Sequence, residues 1–244
     1  MPHDAPGIWA GPLWAVTRPG SGRPLVLLHG NGETHRVFDR LVRRLPGRHL
    51  VGLDSRAHGR SPRGDGPLSI ASMADDVAAA LEALGLSEVD VLGYSDGGNI
   101  ALELAIRHPG AVHAMLVCGA NLDPQGLRPV SLATTVAAHR IVGQVARVLP
   151  ALRPSAELLA LMTEDPQIAP SALAGVAAPV LVLVGERDVV RPEHSALIAA
   201  SLPDARLVVL PGAGHRIPTT RPAELARLVI DFFGDPTATP PARA

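Results

Sequence analysis

Leu92-Gly93-Tyr94-Ser95-Asp96-Gly97-Gly98-Asn99 joins an apolar run to a glycine-flanked serine. The apolar run Val89 to Leu92 leads into it, and Ile100 to His108, a run compatible with a helix, leads out. Gly-x-Ser-x-Gly between a strand and a helix is the pattern of a sharp turn that holds a serine clear of a sheet edge. Such a turn strains the serine backbone and brings the positions two before and two after it together, so both must be small. Gly93 and Gly97 meet that demand, and Gly98 leaves further room where helix meets strand. The motif alone does not make the serine a nucleophile. Its weight depends on whether the rest of the chain supplies a base, an acid and donors for an oxyanion.

On both sides of this turn the chain alternates short apolar runs with amphipathic ones. Upstream, Ile8 to Val16 reads as an edge hairpin broken at Gly11-Pro12 and ended by Pro19-Gly20-Ser21-Gly22. Leu25 to Leu28 is a strand buried on both faces, followed by His29-Gly30-Asn31-Gly32. Val37, Phe38, Leu41, Val42 and Leu45 recur at helical spacing up to Pro46-Gly47. A strand from His49 to Leu53 closes in the turn Asp54 to Ser61, and Ile70 to Leu84 is a second amphipathic helix.

Downstream, Val112 to Gly119 is counted as the fifth core strand. Asn121 to about Ala172 then holds no strand-like run but two helical stretches, one with Val136, Ala137, Ile141, Val145, Val148 and Leu149 on a face, the other from Ala156 to Met162. Strands resume at Val180 to Val184 and Arg206 to Leu210, with helices near Glu193 to Ser201 and Ala223 to Phe233. The alternation predicts an α/β fold: a mostly parallel, doubly wound sheet in a single domain, with core segments 8–120 and 173–234. The helical segment 121–172, inserted after the fifth core strand, is expected to form a small lid over the carboxyl ends of the strands, where such sheets bind ligands. Residues 235–244, rich in Pro, Thr and Ala, are expected to be a disordered tail.

Composition narrows the function classes. With 47% hydrophobic and 18% charged residues over 244, the chain has the make-up of a folded globular protein. A formal charge of −1 gives no electrostatic ground for nucleic acid or an anionic membrane as partner. All 22 basic residues are arginine, which with the abundant Ala, Gly and Pro reads as genome composition. The single Cys118 lies in an apolar run, excludes an internal disulfide and suits a reducing cytoplasm as a buried strand thiol. Met1 to Gly11 lacks the pattern of a secretion signal, and no apolar run approaches the ~20 residues of a membrane span. The histidines show no His-Glu-x-x-His and no paired-Cys pattern, and no phosphate-binding glycine loop occurs, so neither metal nor cofactor is expected.

An acyl-transfer serine needs a base within hydrogen-bond reach and an acid to orient that base. Gly185-Glu186-Arg187-Asp188 places a carboxylate just past one strand, and Gly212-Ala213-Gly214-His215 places a histidine just past the last. The order Ser95, Asp188, His215 brings three functional groups to one sheet edge. Asp188 also has a structural reading as a helix cap, and Asp123 is a rival acid after the Cys118 strand. Two backbone amides are expected to hold an oxyanion: that of Asp96, at a helix N-terminus, and that of Asn31, with Gly32 the second candidate. His29 is expected to shape the loop rather than react.

His29-Gly30-Asn31-Gly32, Asp54 to Ser61, the Gly-Tyr-Ser95-Asp-Gly-Gly elbow, Gly-Glu-Arg-Asp188 and Gly-Ala-Gly-His215 together resemble the α/β-hydrolase superfamily over roughly Ile8 to Phe233. Within it the chain is similar to the small-lid serine esterase group and its valacyclovir-hydrolase-like and C–C hydrolase-like relatives. The resemblance implies hydrolysis of a carboxylic ester, or related acyl bond, of a small and mainly apolar molecule through Ser95, His215 and Asp188. It leaves a C–C hydrolase or cofactor-free perhydrolase as the enzymatic alternative and a non-catalytic ligand-binding module as the other. In the amine-ester hydrolases of the group, an acid at the position of Asp96 is implicated in holding a substrate ammonium. Asp96, Gly32 and Tyr94 are accordingly the expected substrate contacts. Two departures stand out: Ala57 where the family turn has glycine, and Arg216 directly after His215. The lid residues Val136, Ile141, Val145, Leu158, Leu159 and Met162 suggest an apolar pocket, about half of them serving instead to pack the lid. Nothing in the sequence separates a monomer from a homodimer.

Overall fold

The computed structural model describes residues 7–235, so the tail expected from residue 235 lies, after its first residue, outside the described part. Eight strands form one sheet: β1 (Gly7–Ala10), β2 (Leu13–Arg18), β3 (Ser21–Leu28), β4 (Arg48–Asp54), β5 (Val89–Tyr94), β6 (Val112–Cys118), β7 (Val180–Gly185) and β8 (Ala205–Leu210). Their order is β1-β2-β4-β3-β5-β6-β7-β8. β1 to β2 and β2 to β4 run antiparallel; every other pairing is parallel. The helices are α1 (Asp39–Val42), α2 (Ile70–Ala83), α3 (Asp96–Arg107), α4 (Pro129–Ala146), α5 (Arg153–Glu164), α6 (Pro192–Ser201), α7 (Ile217–Thr220) and α8 (Pro222–Phe233).

The continuous apolar runs are explained by burial on both faces. In β3, Val26 and Leu28 join a core with Ile70 and Met73 of α2, Ile100 of α3 and Ile198 of α6. Leu25 and Leu27 point the other way, into a core with Phe38, Leu41, Leu225 and Val229. Each such leucine contributes about 1.5–3 kcal/mol by leaving water, so a strand here tolerates no polar alternation.

Strand order reverses at β3, whose two neighbours are β4 and β5. A parallel sheet opens a crevice beyond the strand ends at such a point. The His29-to-Gly32 loop leaves β3 and Ser95 leaves its neighbour β5.

Three expectations are corrected. The helix expected from Val37 to Leu45 is a 3-10 turn, His35–Phe38, followed by the single turn of α1, because the chain tightens into i→i−3 bonds at Arg44 and Leu45 before Pro46-Gly47 stops it. β3 begins at Ser21, which pairs with Arg48 before a register shift that ends at Leu25; Pro24, without an N–H, falls in that irregular stretch. The strand before the helical insertion is sixth in chain order, since the N-terminal hairpin is two strands.

Candidate active site

Ser95 sits between β5 and α3 with φ 54° and ψ −123°, a conformation that costs a non-glycine residue on the order of 1–3 kcal/mol. The turn is possible because its flanks lack side chains. A Cβ on Gly93 would stand 2.2 Å from the carbonyl oxygen of Gly97, and one on Gly97 would stand 2.0 Å from that of Leu28. The Ser95 N–H donates to the Cys118 carbonyl at 2.8 Å, tying the turn to the end of β6.

The three residues singled out from sequence meet. Ser95 Oγ lies 3.0 Å from His215 Nε2, and His215 Nδ1 lies 2.7 Å from Asp188 Oδ1. A protonated Nδ1 donating to the carboxylate leaves Nε2 as the acceptor for the serine hydroxyl. The Asp188 side chain is fully buried. Burial by itself would raise its carboxyl; the bond and charge of His215, with the Val190 and Gly185 N–H groups, outweigh that and hold it below the ordinary carboxylate range. The bond from Val190 N–H to Oδ1, at 3.1 Å, is a local turn of the kind short carboxylates make, so Asp188 does a structural job and faces His215 with one side chain. The rival Asp123 does not bond His215; its Oδ1 is buried without a donor, and its charge is felt by His194.

The loop after β3 is held by buried histidines. His29 Nε2 accepts the Ser55 N–H at 2.9 Å, and its Nδ1–H donates to the Gly30 carbonyl at 2.8 Å. His58 Nε2 accepts the Gly32 N–H at 2.9 Å. That bond occupies the second-choice oxyanion donor, whereas the Asn31 N–H has no acceptor among the described residues. The Asn31 side chain donates to Asp96 Oδ2 at 3.0 Å and to the Leu158 carbonyl at 2.9 Å, joining loop, elbow and α5. Asp96 is buried, and burial pushes its carboxyl up despite the Asn31 bond.

A cavity of about 320 Å³ opens onto Ser95, Asp96 and His215. Its remaining wall is more polar than the sequence suggested. Leu127, Met162 and Val189 are apolar, but Ser131, Thr134 and Thr135 of α4, with Asp165 just after α5, also face it. Of the proposed pocket residues, Ile141 and Val145 are 64% and 39% exposed, because α4 is long enough for its second half to run past the cavity. Met162 lines the cavity, and Leu158 packs on the core. Gly32 and Tyr94 do not line it; the Tyr94 ring stands 5.3 Å from the His215 ring. Arg216 is exposed, and its charge reaches Glu33.

Sequence reasoning passed over Asp165 and the α4 hydroxyls. The only signal was Ser131, Thr134 and Thr135 at i, i+3 and i+4, a polar stripe in an otherwise apolar helix.

Residues 23–149 match the family described by the alpha/beta hydrolase fold. The chain belongs to the α/β-hydrolase fold family. A relative from Neisseria meningitidis, named pimeloyl-[acyl-carrier protein] methyl ester esterase, is 31% identical across 88% of this α/β hydrolase and 78% of its own length. Among solved structures, Est816, described as an N-acyl homoserine lactone degrading enzyme, superposes with a TM-score of 0.73 at 25% identity, covering 93% of this chain and all of its own. The esterase of Exiguobacterium antarcticum shares the fold, with a TM-score of 0.75 at 20% identity over 91% of this chain and 96% of its own. Among the described residues no helix of this α/β hydrolase is long and apolar enough to cross a membrane.

Proposed function

We propose that the chain is a serine hydrolase that cleaves a carboxylic ester of a small molecule through an acyl-enzyme. The observation that carries this reading is the continuous relay from Ser95 Oγ through His215 to Asp188, with contacts of 3.0 and 2.7 Å. His215 takes the Ser95 proton as Oγ attacks the ester carbonyl, and Asp188 fixes the tautomer and stabilises the imidazolium. The N–H groups of Asn31 and Asp96 hold the oxyanion, the second of them at the N-terminus of α3. His215 then protonates the leaving alcohol, and water activated by His215 releases the acid. The helices α4 and α5 act as a lid that supplies the acyl pocket. The ester-cleaving name of the relative supports the same reaction class.

The Asp96 carboxyl, beside the nucleophile and facing the cavity, is placed to contact the substrate next to its reacting carbonyl. Fluorophosphonate labelling with a p-nitrophenyl acetate assay is the direct test. The wild type is expected to label and turn over; Ser95→Ala is expected to do neither. Unchanged turnover by Ser95→Ala would refute the reading.

A further inference from the structure

The lid wall of the cavity is built to receive hydrogen-bond donors. Thr134 Oγ1–H donates within α4 to the Ser131 carbonyl at 2.8 Å, and Thr135 Oγ1–H to the same carbonyl at 2.9 Å. A hydroxyl has one hydrogen, so both threonines present only lone pairs outward. Asp165 adds a carboxyl. Its Oδ2 accepts the Ile70 N–H at the start of α2, where the helix dipole favours negative charge, and its Oδ1 has no donor among the described residues. Ser131 contributes the one hydroxyl of this wall whose hydrogen has no protein acceptor among them. Among the described residues neither lysine nor arginine lines the cavity, and its one basic side chain is His215.

We propose that Ser131, Thr134, Thr135 and Asp165 form a subsite for an acyl chain whose far end carries an O–H or N–H group. This rests on the hydrolase reading, since the subsite is defined relative to a chain acylating Ser95. It differs from the Asp96 contact, which lies beside the reacting carbonyl. An alkyl end in this place leaves the Asp165 oxygen and the threonine lone pairs desolvated without partners, which costs free energy at each group. A carboxylate end meets Asp165 with no lysine or arginine in the cavity lining to offset it. A hydroxyl or ammonium end is the class that satisfies the wall. Asp165 is a specificity residue on this account. Its rigid attachment to the first turn of α2 fixes where the donor must lie.

The test compares kcat/KM for p-nitrophenyl esters of ω-hydroxyhexanoate, ω-aminohexanoate, heptanoate and the adipate half ester. At least a tenfold lead for the hydroxy or the amino ester over heptanoate and adipate is expected, and which of the two leads tells a neutral from a cationic donor. Asp165→Asn, whose amide turns donors into the cavity, is expected to reverse the order toward adipate. The pair Thr134→Val with Thr135→Val, of unchanged shape, is expected to cut the lead several-fold; thermal melts establish that each variant is folded. Equal turnover of the four esters, a lead for heptanoate or adipate in the wild type, or an undiminished lead in both variants overturns the subsite. p-Nitrophenyl acetate, whose acyl group carries no terminal donor, separates the two readings. No wild-type turnover of acetate strikes the serine-hydrolase mechanism, whereas active acetate with a flat panel strikes the subsite alone.

Discussion

Gly119 makes room for His215: a Cβ at position 119 would stand 2.9 Å from the imidazole Cε1 and 3.0 Å from Nδ1. Gly119 follows β6 with φ 65°, so a side chain there is unfavourable both for its own backbone and for the ring beside it. The imidazole is therefore positioned by an absence of atoms just past a strand that carries neither Ser95, Asp188 nor His215.

Gly119→Ala is expected to lower kcat/KM by about a hundredfold or more, since an imidazole displaced by the order of 1 Å loses its alignment with Ser95. Stability is expected to fall by about 1–2 kcal/mol for alanine in the left-handed region. Ester kinetics set beside a thermal melt check both; near-wild-type kinetics would show that the ring tolerates the methyl group.

Asp188→Asn is expected to reduce kcat by about 10⁴, because the amide cannot impose the tautomer that leaves Nε2 free. Asp123→Asn is expected to leave kcat close to wild type, its carboxyl having no bond to His215. The depressed carboxyl of Asp188 also stabilises the fold above the unfolded aspartate value of about 3.9 and loses that contribution as pH falls through its lower folded value. The stability gap between wild type and Asp188→Asn should accordingly narrow on acidification below about pH 4.

Ala57, half-buried, occupies φ 63° in the turn after β4, where its N–H donates to the Pro62 carbonyl. Left-handed alanine costs about 1–2 kcal/mol, and the extra freedom of an unfolded glycine returns about 0.4–1 of that. Ala57→Gly is expected to stabilise by about 0.5–1 kcal/mol, raising Tm by about 2 °C in a chain of this size. A lower Tm would mean that the methyl group contributes packing that outweighs the strain.

His29 is buried, and its pKa is pushed down to about 4, chiefly by burial. An unfolded histidine titrates near 6.5, so between the two values the unfolded chain binds the extra proton and the folded one does not. The contribution of His29 is complete above about pH 6.5 and is lost as pH falls toward 4, at most about 3 kcal/mol. Urea unfolding at pH 7 and pH 5 should show this loss in the wild type and a smaller one in His29→Gln. Equal losses in the two proteins would remove His29 as a source of acid sensitivity.

Much of the site was readable because chemistry imposes local rules on sequence. Gly93 and Gly97 are there because backbone atoms pass within 2.2 Å of where their Cβ atoms would be, and a pattern spaced by two residues records that directly. Strands buried on both faces, such as Leu25 to Leu28, announce themselves as unbroken apolar runs. The first helix misled for the opposite reason: Val37, Phe38, Leu41, Val42 and Leu45 keep helical spacing, but a burial pattern does not show where hydrogen bonding tightens to i→i−3. On α4, the apolar residues Ile141 and Val145 looked like pocket lining, yet only the first turns reach the cavity. Which end of a helix covers a site depends on its exit angle from the preceding strand, and composition does not encode it. The histidine supports of the loop were hidden because His29 and His58 act through backbone partners distant in the chain, Ser55 and Gly32.

The insertion is sewn to the loop that carries Asp188. Leu127 bridges Val190, the Arg128 N–H donates to the Val189 carbonyl, and Arg128 Nε donates to the carbonyl of Asp188 itself. A lid transplanted from another hydrolase would arrive without this seam, and the acid would lose its mooring along with the old pocket. On the proposed mechanism substrate range and catalytic alignment pass on together, so grafts that retain Leu127 and Arg128 should keep the chemistry while the helices beyond them are exchanged.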